Sequence, residues 1–78
     1  MKATVLVRLK TEVLDPQGEA VRKALLHLGF TGVRGVRVGK LIEIDLDGEP
    51  SEELRGRLAK MADAILANPV TEVFEVEG

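Results

Sequence analysis

One serine, one histidine and no cysteine are the stock from which a nucleophile and its base would have to be drawn in this chain. Ser51 precedes Glu52 and Glu53 at a helix-start signal, where its hydroxyl is wanted as an acceptor for first-turn N–H groups rather than as an attacking group. His27 stands between Leu26 and Leu28 near the predicted end of a helix, where a protonated imidazole complements the carbonyl end of the helix dipole. With no second His and no Cys it cannot assemble a His/Cys metal site. Asp45, Asp47 and Glu49 read D-x-D-G-E, which lacks the rest of a calcium loop and suits a solvated strand end followed by a turn. Gly29, Gly32, Gly35 and Gly39 recur without forming G-x-G-x-x-G or G-x-x-x-x-G-K-[S/T] ahead of a helix, so a phosphate-binding loop fails on context. Arg34, Arg37 and Lys40 remain as a basic group, suited to an anionic ligand, to a partner's acids, or simply to a solvated strand face.

The chain around these residues is short. It has 78 residues, 11 Lys and Arg against 13 Asp and Glu, a net charge of −2 and only two aromatics, Phe30 and Phe74. Non-specific nucleic-acid binding is disfavoured by that balance, and base stacking by the lack of aromatics on the first and third predicted strands. A single domain spanning residues 1–78 is expected. A domain of this size buries only about 60–65% of its unfolded surface and nets roughly 3–5 kcal/mol from its core, so it usually needs a staple. No disulfide can form, which leaves self-association as the working expectation. The start leads directly into an apolar alternation with no signal-peptide core, and no stretch approaches the ~18 apolar residues that span a bilayer. A cytoplasmic protein is expected.

Periodicity supplies the elements that must position these side chains. Ala3 to Leu9 alternates, with Val5, Val7 and Leu9 on one face and Thr4, Leu6 and Arg8 on the other, as in a half-buried strand. Asp15-Pro16 marks a helix start, an N-cap carboxylate followed by a residue that needs no donor. Val21, Ala24, Leu25 and Leu28 form its apolar stripe, Glu19 and Lys23 a surface pair, and Gly29 its end. Val33 to Leu46 reads as a hairpin around Gly39. The register that keeps the apolar set together places Val38 opposite Ile42, Val36 opposite Ile44, and Arg37 opposite Glu43 as a cross-strand ion pair. A second helix runs from Ser51 with Leu54, Leu58, Met61, Ala62, Ile65 and Leu66 on one face and stops at Asn68-Pro69, and Val70 to Val76 is a last strand. The order β-α-β-β-α-β predicts an α+β fold: a ferredoxin-like split βαβ antiparallel sheet with both helices on one face. Its open face carries apolar residues such as Leu6 and so is expected to meet another subunit, in a dimer or tetramer.

Three blocks carry a family resemblance: V-L-D-P-Q-G-x-A-V at Val13 to Val21, V-R-x-G-K at Val36 to Lys40 with the following Glu43, and L-A-N-P-V at Leu66 to Val70. In this order, over essentially the whole chain, they resemble the PurS family, the small subunit of phosphoribosylformylglycinamidine synthase. The resemblance implies a non-catalytic adaptor that associates with itself and joins a glutaminase subunit to a large ATP-using synthetase subunit, assisting ammonia transfer between them. The complex converts formylglycinamide ribonucleotide, glutamine and ATP into formylglycinamidine ribonucleotide, ADP, phosphate and glutamate. ATP and magnesium are then expected on the large subunit, with no cofactor, metal or catalytic residue in this chain. Asp15, Pro16, Gln17, Gly18, Arg37, Gly39, Lys40 and Glu43 become candidates for subunit contacts or for the shape those contacts require. Asp15, Pro16 and Gly39 are equally explained by a helix cap and a hairpin turn. Two other readings stay open. One is a small-molecule-binding regulatory module on the same fold. The other is an acylphosphatase-like hydrolase, which Thr11 to Leu14 disfavours by offering no phosphate loop.

Overall fold

Alternation at the start of the chain builds the middle of a sheet. The computed structural model, which describes residues 1–77, places strand β1 at Lys2–Leu9, with Ala3, Val5 and Val7 buried on one face and Thr4, Leu6 and Arg8 on the other. Helix α1 follows at Pro16–His27, strand β2 at Lys40–Asp45, helix α2 at Glu52–Met61 with a π-helical turn at Ala62–Leu66, and strand β3 at Glu72–Glu77. Both outer strands pair antiparallel with β1, in the order β2-β1-β3. Val5 lies opposite Ile42 and Val76, and Val7 opposite Phe74. That register sends Ile42, Ile44, Phe74 and Val76 to the same face as Val5 and Val7, where Ala62, Leu66 and Ala67 cover them. Leu58 of α2 is also completely buried.

The α+β class is as read from the sequence, and so are both helix starts. Ser51 Oγ accepts from the Leu54 N–H at 3.2 Å, and Asp15 Oδ1 from the Gly18 N–H at 2.9 Å. Gly29, at φ +93°, turns the chain out of α1 as only glycine does without strain. Four details differ from expectation.

The hairpin does not form. Only Lys40–Asp45 of the predicted 33–46 hairpin joins the sheet, while residues 33–39 run without strand pairing. The physical reason is that the Val38 N–H is taken by Asp15, and that Gly39, whose φ is not positive, makes no turn. The expected Arg37–Glu43 pair is therefore absent within the chain, and Arg37 donates instead to the Lys10 carbonyl at 2.9 Å. Both helices were expected on the sheet, yet among the described residues α1 packs on neither the strands nor α2 beyond grazing approach. Its stripe stays open to solvent, with Leu28 74% and Phe30 58% exposed. Glu19 pairs with Arg22, one residue nearer than the expected Lys23.

Ile65 leaves the core face and is 81% exposed. The cause is the π turn: the Ala67 N–H reaches back to the Ala62 carbonyl, five residues away, at 2.9 Å. One extra residue per turn rotates Ile65 outward while Ala62 and Leu66 keep facing the sheet.

The outline follows from these differences. The radius of gyration is 15.9 Å and the extents are 48 × 24 × 15 Å, whereas a compact 78-residue domain has a radius of gyration of about 11–12 Å. Residues 15–39 form an arm that stands off the sheet.

Candidate subunit-contact site

The candidate residues meet where this arm leaves the sheet. Asp15 is the centre of the joint. Its Oδ1 caps α1 at Gly18, and its Oδ2 accepts from the Val38 N–H at 2.7 Å, so one carboxylate fastens the start of the helix to the segment returning from its far end. Pro16 occupies the first helical position, where its fixed φ suits the helix and its missing donor costs nothing. Gly18 is buried because the Val36 carbonyl lies against it; a Cβ there would stand 2.1 Å from that oxygen. The N–H groups of Gly18 and Val38, with the Arg37 guanidinium nearby, hold the Asp15 carboxyl below the usual aspartate range, so the group is ionised at neutral pH.

The other end of the same segment is fixed as firmly. Gly39 passes so close to β1 that a Cβ would stand 2.5 Å from the Val7 carbonyl, so its smallness serves a close approach and not a turn. Lys40 Nζ lies 3.5 Å from both the Leu66 carbonyl and the Glu72 carboxylate. Glu72 accepts in turn from the Asn68 N–H at 2.7 Å, and the Asn68 side chain accepts from the Val70 N–H at 2.9 Å. The three sequence blocks are thus wired together: the first to the second through Asp15 and Gly18, the second to the third through Lys40 and Glu72.

Two candidates stand apart. Gln17 is exposed on the first turn of α1, and Glu43 lies on the solvent side of β2 opposite Thr4, away from the joint. One participant was not singled out from the sequence. Lys10 accepts from Arg37, donates its N–H to the Thr71 carbonyl at 2.9 Å and its ammonium to the Pro69 carbonyl at 3.0 Å. Nothing in its local sequence marks it, since a lysine ending a strand is ordinary.

Asp15 spends its oxygens on backbone N–H groups, and the Arg37 guanidinium near it holds the Lys10 carbonyl. Such an arrangement fixes direction and shape; it presents no free nucleophile with a base beside it. The model of the PurS family, described as phosphoribosylformylglycinamidine (FGAM) synthase, matches residues 2–78.

The chain belongs to the PurS family.

The PurS subunit of phosphoribosylformylglycinamidine synthase from Methanocaldococcus jannaschii is 40% identical over 76 residues, covering 97% of this chain and 92% of that one. The one from Mycobacterium leprae is 44% identical over 75 residues, covering 96% and 91%. Among solved structures, the M. jannaschii PurS crystal structure superposes with a TM-score of 0.86 at 38% identity, over 97% of this chain and 92% of that one. A chain of the PurLQS structure from Thermotoga maritima superposes with a TM-score of 0.87 at 30% identity, over 97% and 93%. PurS chains therefore share this backbone at low identity.

Proposed function

We propose that this chain is the small adaptor subunit of a glutamine-dependent phosphoribosylformylglycinamidine synthase in purine biosynthesis. The observation that carries the reading is the family match over residues 2–78, in a chain whose matching blocks form a structural joint and not a reaction centre. The likeness to a chain of the Thermotoga maritima PurLQS structure supports membership of a multi-subunit assembly. In this reading the chain joins the glutaminase subunit to the large synthetase subunit, helps ammonia pass between them without loss to solvent, and acts as a homo-oligomer. ATP and magnesium sit on the large subunit and none on this chain. The assembly works in the cytoplasm; among the described residues no helix is long and apolar enough to cross a membrane. Arg37, Lys40, Gln17 and Glu43 supply polar contacts at the subunit boundary, while Asp15, Pro16, Gly18 and Gly39 set the shape on which those contacts depend.

Reconstitution tests the role. The two larger subunits should co-purify with this chain, and glutamine-dependent synthesis should appear on its addition. Equal glutamine-dependent activity with and without the chain would dispose of the adaptor role. Heat on titration with purine nucleotides, glutamine or glycine would instead support the small-molecule module.

A further inference from the structure

The corner of the sheet nearest the joint is hollow. β1 runs on to Leu9 beside β3, but beside β2 its pairing stops at Val7 opposite Lys40. Beyond that point the chain leading into β2 swings toward Asp15, which holds the Val38 N–H, and the Arg37 side chain reaches over to the Lys10 carbonyl. An open cavity of about 470 Å³ remains between them. Leu6 and Leu41, directly opposite each other on the outer face of the sheet, give it an apolar floor, and Leu41 is 61% exposed. Arg8, Arg37 and Lys40 supply its charge. None of the ten residues lining it is acidic, in a chain whose 13 acids outnumber its 11 Lys and Arg. The carboxylates that partner two of these cations, Glu75 for Arg8 and Glu72 for Lys40, lie outside the cavity. Each cation is held by little: among the described residues Arg8 and Arg37 commit one nitrogen each, and Lys40 stands 3.5 Å from both its acceptors. Two guanidinium groups and an ammonium thus keep donors to spare.

We propose that this cavity binds a small organic phosphate, its phosphate group held by Arg8, Arg37 and Lys40 and its uncharged body lying on Leu6 and Leu41. A phosphate dianion suits the set better than a carboxylate does. Its oxygens take up two guanidinium forks and a point charge together, whereas a carboxylate brings two oxygens and a single charge. The volume is that of a small-molecule pocket and more than inorganic phosphate fills, which calls for a body beside the phosphate. No carboxylate lines the cavity to share a magnesium ion, so the ligand is a metal-free ester and not a magnesium triphosphate. No aromatic lines it either, so the phosphate sets the affinity and the identity of a base does not. The site goes beyond the adaptor reading and does not depend on it. It stands or falls in titration of this chain, and the adaptor role in reconstitution; heat from a phosphate ester counts against that role only where synthesis proceeds equally without the chain.

NMR titration of the isotope-labelled full chain tests it, with adenosine monophosphate, ribose 5-phosphate, inorganic phosphate and adenosine as probes. The two esters should bind with similar affinity and move the backbone signals of Arg8, Gly39 and Lys40. Inorganic phosphate should bind more weakly, and adenosine not at all. Added salt should weaken the esters, since all three cations reach solvent. Arg8→Gln should weaken both esters by about tenfold. Leu41→Asp, which sets a carboxylate on the floor, should abolish binding. Both positions are exposed, so both variants should keep the parent's thermal melt. Failure of both esters to bind, signals moving elsewhere on the chain, or full affinity in the two folded variants would overturn the site. Inorganic phosphate binding as tightly as the esters would overturn the organic body, and adenosine binding as tightly as its monophosphate would overturn the role of the cations.

Discussion

Gly18 and Gly56 are both helical glycines, and their surroundings give the same substitution opposite signs. At Gly56 a Cβ meets nothing within 4 Å, so Gly56→Ala should stabilise the chain by roughly 0.5–1 kcal/mol through helix propensity alone. At Gly18 the Val36 carbonyl occupies the space, and Gly18→Ala should destabilise by about 1–3 kcal/mol despite the better propensity. Thermal melts of the two variants should move in opposite directions. Asp15 adds a pH dependence. Its carboxyl is held below the usual aspartate value by the Gly18 and Val38 N–H groups, so its contribution is complete above roughly pH 4 and is lost as pH falls through the lowered folded-state value. Asp15→Asn should lower Tm at neutral pH, and the gap to the parent should narrow on acidification below that point. A gap independent of pH would mean that the ionised carboxylate is not what fastens the arm. The cap itself was legible in Asp15-Pro16. The second role of the same carboxylate was not, because its partner Val38 is 23 residues away and is a backbone group with no sequence signature.

At the scale of elements, what could be read was what depends on near neighbours. The faces of β1, the start of each helix and the stop at Gly29 are local, and each formed where expected. Val36 and Val38 do stand at period two, but such spacing states which face a residue would occupy and not whether a neighbouring strand is there to pair with, and residues 33–39 run without strand pairing. Ile65 failed for a different reason. A heptad-like stripe assumes an unbroken α-helix, and a single i→i+5 turn shifts the phase enough to carry Ile65 off the stripe while Leu66 stays on the core. That turn makes a prediction. An i→i+5 loop holds one residue more than an α-turn, so deleting exposed Ala64 should let the Ala67 N–H reach the same Ala62 carbonyl as an ordinary α-helical bond. The deletion should keep the circular-dichroism spectrum and shift Tm by only a few degrees. The same deletion between Leu54 and Leu58 would rotate buried Leu58 out of the core and should unfold the chain.

For the whole molecule, the expectation of a staple came from length and the absence of cysteine, and the structure leaves an apolar helix side and a strand edge on which one could act. The apolar side of α1 and the free edge of β2 lie in one chain without meeting, so under the proposed self-association the stability of the fold is coupled to it. Tm should rise with total protein concentration, as mass action requires when the folded form is a dimer. A Tm constant from low micromolar to near-millimolar chain would show instead that the three-stranded unit is self-sufficient. The uncovered arm also bears on supply. A chain without its proposed partners leaves Val21, Leu26, Leu28 and Phe30 open to solvent and so in reach of proteases. On the proposed self-association its lifetime should rise steeply with its own abundance, scarce copies being cleared while plentiful ones shelter each other.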